Sequence, residues 1–198
     1  MDSDYLMIVI VYSYILGSLP YGYILVKLFK GIDIRTIGSG NIGATNVLRS
    51  GSKGLAFCTL LLDSFKGAIA ILITRYYLNL TDDFAAIAGL LAIVGHMYPI
   101  WLKFKGGKGV ATFFGTILAF DPLLFLICGI VWLFVAIPTR YSSLAAVVSV
   151  IVFPIAAYFL DEPLFYVAIV IAVLIIYKHR ENIKRLLQGT ESKISFRK

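Results

Sequence analysis

Residues 55–80 read LAFCTLLLDSFKGAIAILITRYYLNL. A helix that crosses a bilayer needs about 20 mainly apolar residues. This stretch supplies them, interrupted by Asp63 and Lys66. Those two are three apart, so on a helix they share a face. Lys66 falls about 16 Å along the axis from Leu55, near the middle of the hydrocarbon. An intramembrane charge marks a functional site by default, and the alternative is a mutual ion pair that fixes packing. The residues alone leave both open.

Outward from it, six more apolar stretches follow the same rule: residues 5–29, 84–102, 110–120, 123–138, 144–160 and 164–177. The first begins Asp2 and Asp4, with no basic n-region, so it reads as a retained helix and not a signal peptide. Pro20, beside Gly17 and Ser18, is expected to kink it. Asp121-Pro122 breaks one pair of stretches and Asp161-Glu162-Pro163 another. The fourth stretch is short at about 1.5 Å per residue and spans only if its helix starts earlier, near Gly107. Composition agrees: of 198 residues 60% are hydrophobic and 15% charged, where a soluble domain carries about 25% charged. The fold expected is an all-α polytopic bundle of about seven transmembrane helices, one domain over residues 1–198.

Sorting the charges by loop orients the bundle. Lys27, Lys30, Arg35, Arg49, Lys53, Lys103, Lys105, Lys108, Arg140, Lys178, Arg180, Lys184, Arg185, Lys193, Arg197 and Lys198 fall on one side. Asp2, Asp4, Asp82, Asp83, Asp121, Asp161 and Glu162 fall on the other, with Arg75 at its edge. The positive-inside rule then puts the N-terminus outside and the C-terminus in the cytoplasm. Topology and anionic head groups account for the net charge of +7 without nucleic acid. Cys58 and Cys128 sit in apolar runs and read as small hydrophobes. With two histidines and no Cys/His grouping, no metal site or cofactor is expected.

The basic loops have their own pattern. The first reads GSGNIGATN over residues 38–46, followed by Arg49. Gly40, Gly43 and Ala44 let backbone approach a ligand, Ser39, Asn41, Thr45 and Asn46 add polar groups, and Arg49 offers a fork for phosphate or carboxylate. The second reads FKGGKGVAT over residues 104–112, with a helix starting at its end. Free N–H groups of Gly106, Gly107 and Gly109 at a helix N-terminus, with Lys105, Lys108 and Thr112, make an anion site. Neither loop matches a dinucleotide or Walker A pattern. His96 lies near the cytoplasmic end of the third stretch, and His179 and Asn182, three apart, lie at the membrane boundary of the last.

With these residues placed, the chain resembles the acyl-phosphate:glycerol-3-phosphate acyltransferase family of bacterial inner membranes. The resemblance rests on GSGNIGATNVLR (38–49), Gly95-His96 with KFKGGKGVAT (103–112), HRENIKRLLQGTE (179–191), residues 17–21 and residues 63–67. It implies a seven-helix fold and transfer of a fatty acyl group from acyl phosphate, not acyl-CoA, to glycerol 3-phosphate. The products would be 1-acylglycerol 3-phosphate (lysophosphatidic acid) and inorganic phosphate, the first step of phospholipid synthesis. Other glycerophosphate acyltransferases carry His-x4-Asp; here the residues five beyond His96 and His179 are Trp101 and Lys184. The resemblance implies catalytic roles for Ser39, Arg49, Lys108, His179 and Asn182. It implies substrate binding by Gly40, Asn41, Gly43, Ala44, Thr45, Asn46, Lys66, His96, Lys105, Gly106, Gly107, Gly109, Thr112 and Ser142. The partners expected are the two substrates and the bilayer, with a functional link to the enzyme that makes acyl phosphate and a monomeric assembly. The active site is expected on the cytoplasmic face of the inner membrane.

The chemistry fits such a site. Two phosphate-bearing substrates need cations, and stabilising the oxyanion and departing phosphate is the largest expected effect. His179 is a candidate base, its neutral form favoured by Lys178 and Arg180; a substrate phosphate is the alternative. No Ser or Cys nucleophile is evident, so transfer should be direct. The rival classes are an anion transporter, which should show internal repeats, and a metal-dependent transferase, for which Asp33, Glu181 and Glu191 are too few carboxylates.

Overall fold

A computed structural model describes residues 2–160 and 163–194. The Asp161-Glu162 break and the charges of Arg197 and Lys198 lie outside the described residues. All regular structure among the described residues is helical: α1 (Asp2–Ser18), α2 (Tyr21–Lys30), α3 (Ala44–Arg49), α4 (Lys53–Leu72), α5 (Asp82–Met97), α6 (Val110–Phe120), α7 (Pro122–Thr139), α8 (Ser142–Phe159), α9 (Phe165–Lys178) and α10 (Arg180–Leu187), with short 3-10 and π turns between. Five stretches are long and apolar enough to cross a membrane: Asp4–Lys30, Lys53–Tyr77, Asp82–Leu102, Pro122–Thr139 and Ser142–Phe159. Val110–Phe120 and Phe165–Lys178 are shorter apolar helices. Contacts divide the chain into two compact units, Met1–Phe120 and Asp121–Lys198.

In the first unit, Pro20 does more than kink the first helix. It lacks an N–H, and α1 ends at Ser18 while α2 restarts at Tyr21. The helices approach closely through small residues, as lipid-embedded helices do. A Cβ on Gly17 would strike the Ala92 carbonyl, one on Gly95 the Tyr14 carbonyl, and one on Gly115 the Ser64 carbonyl. These contacts seat α1 on α5 and α4 on α6. The fourth apolar stretch starts at Val110 and not at Gly107, because Gly109 takes φ +83° and cannot lie in the helix. The resulting helix is about 16 Å long, and Arg75 closes its far end by donating to the carbonyls of Ala119 and Phe120 at 3.1 and 2.7 Å.

In the second unit, the Asp121 side chain accepts from the Leu124 N–H at 2.8 Å and caps α7, with Pro122 at its first position. Ser149 ties α8 to α7 by donating to the Cys128 carbonyl at 2.8 Å. Large apolar side chains point outward in both units, where a soluble protein would not leave them: Phe134 is 80% exposed and Tyr77 84%. Tyr76, Tyr77 and Tyr166 lie near helix ends, where aromatic rings meet the membrane–water interface.

Candidate active site

The first glycine loop is built around Asn46. Its buried side chain amide donates to the carbonyls of Ile34, Ile37 and Asn41 at 3.1, 2.9 and 2.8 Å, and its Oδ1 accepts from the Ser39 N–H at 2.9 Å. Gly38 takes φ +54°, and a Cβ there would meet Asn46 Oδ1 and the Arg49 stem. Beneath the loop, Val26, Ile34, Ile42, Val47, Ala56 and Leu102 form a small apolar core. Asn41 Oδ1 accepts from the Gly43 N–H at 3.0 Å. Gly43 and Ala44 open α3, partly buried. What the loop presents outward is Ser39, Gly40, Thr45 and Arg49, all exposed. The Asn46 side chain thus holds the loop's shape. At its start Asp33 accepts from Arg35, whose guanidinium holds the carboxyl down at about 2.

The second loop departs further from expectation. Lys103 and Phe104 both take positive φ, 52° and 61°, which turns the chain back on itself. The Gly106 N–H then donates to the Met97 carbonyl at 3.2 Å and the Gly107 N–H to the His96 carbonyl at 3.0 Å. Those two amides are taken up by backbone carbonyls at the end of α5. Lys105 is exposed and Lys108 half-buried. Gly109 is buried against Met97 and Ile93, and Thr112 is buried where α6 meets Gly67 of α4.

Lys66 and His96 are interior as well. Lys66, 1% exposed, is ion-paired to Asp63 at 2.8 Å. It also donates to the Leu19 carbonyl at 2.9 Å and to His96 Nδ1 at 2.9 Å. An ammonium has three donors and no acceptor, so these partners account for all of it. The mutual ion pair that the sequence allows is formed, and Lys66 reaches His96 as well.

In the second unit, His179 Nδ1–H donates to the Ile175 carbonyl at 2.8 Å. A carbonyl can only accept, so the neutral ring carries its proton on Nδ1 and a lone pair on Nε2, as a base requires. Asn182 donates to Glu191 Oε1 at 2.6 Å, Ser143 donates to the same oxygen at 2.7 Å, and Arg185 donates to Oε2 at 2.7 Å. Burial alone would raise the Glu191 carboxyl, but these donors and the Arg185 charge outweigh it and hold it below its ordinary value. Ser142 opens α8 beside Ser143, half-buried. Glu191 is the residue that sequence reasoning passed over. In the sequence it counts as one of three carboxylates too few for a metal site, although it closes the motif that holds His179 and Asn182.

This arrangement has close counterparts. The family model described as glycerol-3-phosphate acyltransferase matches residues 7–189. The chain belongs to the glycerol-3-phosphate acyltransferase family. Among its relatives, a glycerol-3-phosphate acyltransferase of Mesorhizobium japonicum is 50% identical over 190 residues, covering 96% of both chains. One from Wolbachia sp. subsp. Brugia malayi is 47% identical over 188 residues, covering 95% of this chain and 98% of its own. Crystal structures of PlsY (YgiH), an integral membrane glycerol 3-phosphate acyltransferase, share the fold. Its glycerol 3-phosphate form superposes with a TM-score of 0.90 at 40% identity, covering 96% of both chains. Its lysophosphatidic acid form gives 0.87 at 39% identity, covering 96% of this chain and 95% of that one. Both units thus lie within one integral membrane acyltransferase fold.

Proposed function

We propose that the protein transfers a fatty acyl group from acyl phosphate to glycerol 3-phosphate, yielding 1-acylglycerol 3-phosphate and inorganic phosphate as the first step of phospholipid synthesis. The observation that carries this reading is the likeness, across 96% of both chains, to an acyltransferase solved in a glycerol 3-phosphate form. The basic residues between helices support a cytoplasmic active face in a bacterial inner membrane, with seven spans, the N-terminus outside and the C-terminus inside.

Arg49, Lys105 and Lys108 neutralise the substrate phosphates, with Arg49 suited to bidentate binding. Ser39, Thr45, Ser142 and Asn182 supply hydrogen bonds. His179 Nε2, or a phosphate oxygen of a substrate, accepts the acceptor hydroxyl proton. The hydroxyl oxygen bonds to the acyl carbon, the bond from that carbon to the phosphate oxygen breaks, and phosphate leaves with its electron pair. Phosphate is a good leaving group, so no acid and no acyl-enzyme is needed. Positioning both substrates supplies the remaining acceleration.

Purified protein mixed with synthetic acyl phosphate should release phosphate only when glycerol 3-phosphate is present. Release without acceptor, or uptake of glycerol 3-phosphate into vesicles without release, would return the reading to a hydrolase or a transporter. Labelled acyl group trapped on the protein in the absence of acceptor would exclude direct transfer.

A further inference from the structure

The buried charge pair in α4 takes no part in the reaction proposed above, yet it is connected to the second loop by an unbroken series of contacts. Asp63 pairs with Lys66 on the same helix at 2.8 Å. Lys66 reaches across to the Leu19 carbonyl at the break between α1 and α2, and to His96 Nδ1 on α5. His96 Nδ1 also stands 3.5 Å from Asp63 Oδ1. The far edge of the His96 ring then abuts the loop: a Cβ built on Gly107 would come within 1.9 Å of His96 Nε2. The His96 carbonyl takes the Gly107 N–H, and the adjacent Met97 carbonyl takes that of Gly106.

We infer that Asp63, Lys66 and His96 are positioning residues that set the seat of the loop carrying Lys105 and Lys108, and so the affinity for a phosphate-bearing substrate. The inference rests on the reading of that loop as a phosphate site. A buried ion pair is weak evidence for stability, because desolvation offsets its attraction. What it does supply is geometry: Lys66 has one arrangement that satisfies all its donors, and that arrangement fixes the height of the imidazole. The imidazole leaves room at position 107 for glycine alone. Loop position is thereby coupled to three helical elements through one side chain.

Two experiments test this in the full chain in detergent. The first is a double-mutant cycle on His96→Ala and Gly107→Ala, read as KM for glycerol 3-phosphate and for acyl phosphate separately. Gly107→Ala alone should raise one of the two KM values about tenfold with kcat changed by less than about threefold. In the His96→Ala background the same substitution should change that KM by less than about twofold, because the obstructing ring is gone. Additive effects, or equal losses in kcat and in both KM values, would overturn the inference. The second experiment needs no activity. The pair Asp63→Asn/Lys66→Met removes both charges together and so leaves no lone buried ion. Hydrogen exchange at the Gly106 and Gly107 amides should quicken about tenfold or more, with the α4 and α6 amides unchanged. Exchange that stays at the wild-type rate, or that quickens throughout the unit, would overturn it. If wild-type protein shows no acceptor-dependent phosphate release, the functional reading fails while the exchange result still decides the positioning role.

Discussion

The two histidines of this chain sit in opposite electrostatic settings. His96 Nδ1 stands 2.9 Å from Lys66 Nζ and 3.5 Å from Asp63 Oδ1, against a buried charge pair. His179 Nδ1 faces the Ile175 carbonyl, which can only accept, so the lone pair is on Nε2. One ring is fixed between an intramembrane ion pair and a glycine, and the other is oriented by its own helix. Identical side chains thus meet different neighbours: His96 a charge pair and a glycine, His179 a backbone carbonyl that leaves its Nε2 lone pair available, as the proposed base role requires. The catalytic candidate is distinguished by the group behind the ring, not by burial, since both rings are buried.

Removing each ring in turn separates the two histidines. His179→Ala should lower kcat by roughly 10²–10⁴, the usual worth of a general base, measured as initial rate under saturating substrates. A loss below about tenfold would assign the proton to substrate phosphate instead. His96→Ala should leave kcat within about threefold; a hundredfold loss would reverse the assignment of the two rings.

The next effects fall on stability, through the two side chains that hold the candidate loops. Glu191→Ala strands the donors of Asn182, Ser143 and Arg185 and should cost on the order of 2–4 kcal/mol, read as thermal unfolding in detergent. Asn46→Ala strands the Ser39 N–H and three carbonyls and should cost about 1–3 kcal/mol. These two hubs also differ in charge, which gives the smallest effect. The Glu191 carboxyl is held below its ordinary value, so its contribution is complete above the unfolded carboxyl value of about 4.3 and is lost as pH falls through the folded value. Wild-type stability should therefore drop on acidification below about pH 4.3, and Glu191→Gln should lack that part of the slope. Asn46 does not titrate, and Asn46→Ala should leave the slope unchanged.

Much of the fold was legible because the bilayer imposes a length and a polarity on each helix. The boundaries of the apolar stretches needed little more than counting. The expected kink at Pro20 takes the form of a short break, with α1 ending at Ser18 and α2 restarting at Tyr21 inside the one apolar stretch Asp4–Lys30. In the loops, residue types were legible but directions were not. Gly106 and Gly107 look like anion-binding amides until the left-handed turn at Lys103 and Phe104 aims them at α5. Asn46 looks like a ligand group until its carbonyl partners at Ile34, Ile37 and Asn41 are seen. Lys66 and His96 meet across 30 residues of sequence, a distance at which periodicity carries no information. Glu191 had one usable signal, its place in the motif that also holds His179 and Asn182.

The proposed transfer from acyl phosphate to glycerol 3-phosphate can be read in one assay: the purified protein is offered glycerol 3-phosphate with acyl phosphate, and separately with acyl-CoA, and lysophosphatidic acid and phosphate are measured together. One lysophosphatidic acid should form per phosphate released from acyl phosphate, with no product from acyl-CoA. Product from acyl-CoA alone, or phosphate released without lysophosphatidic acid, would contradict it.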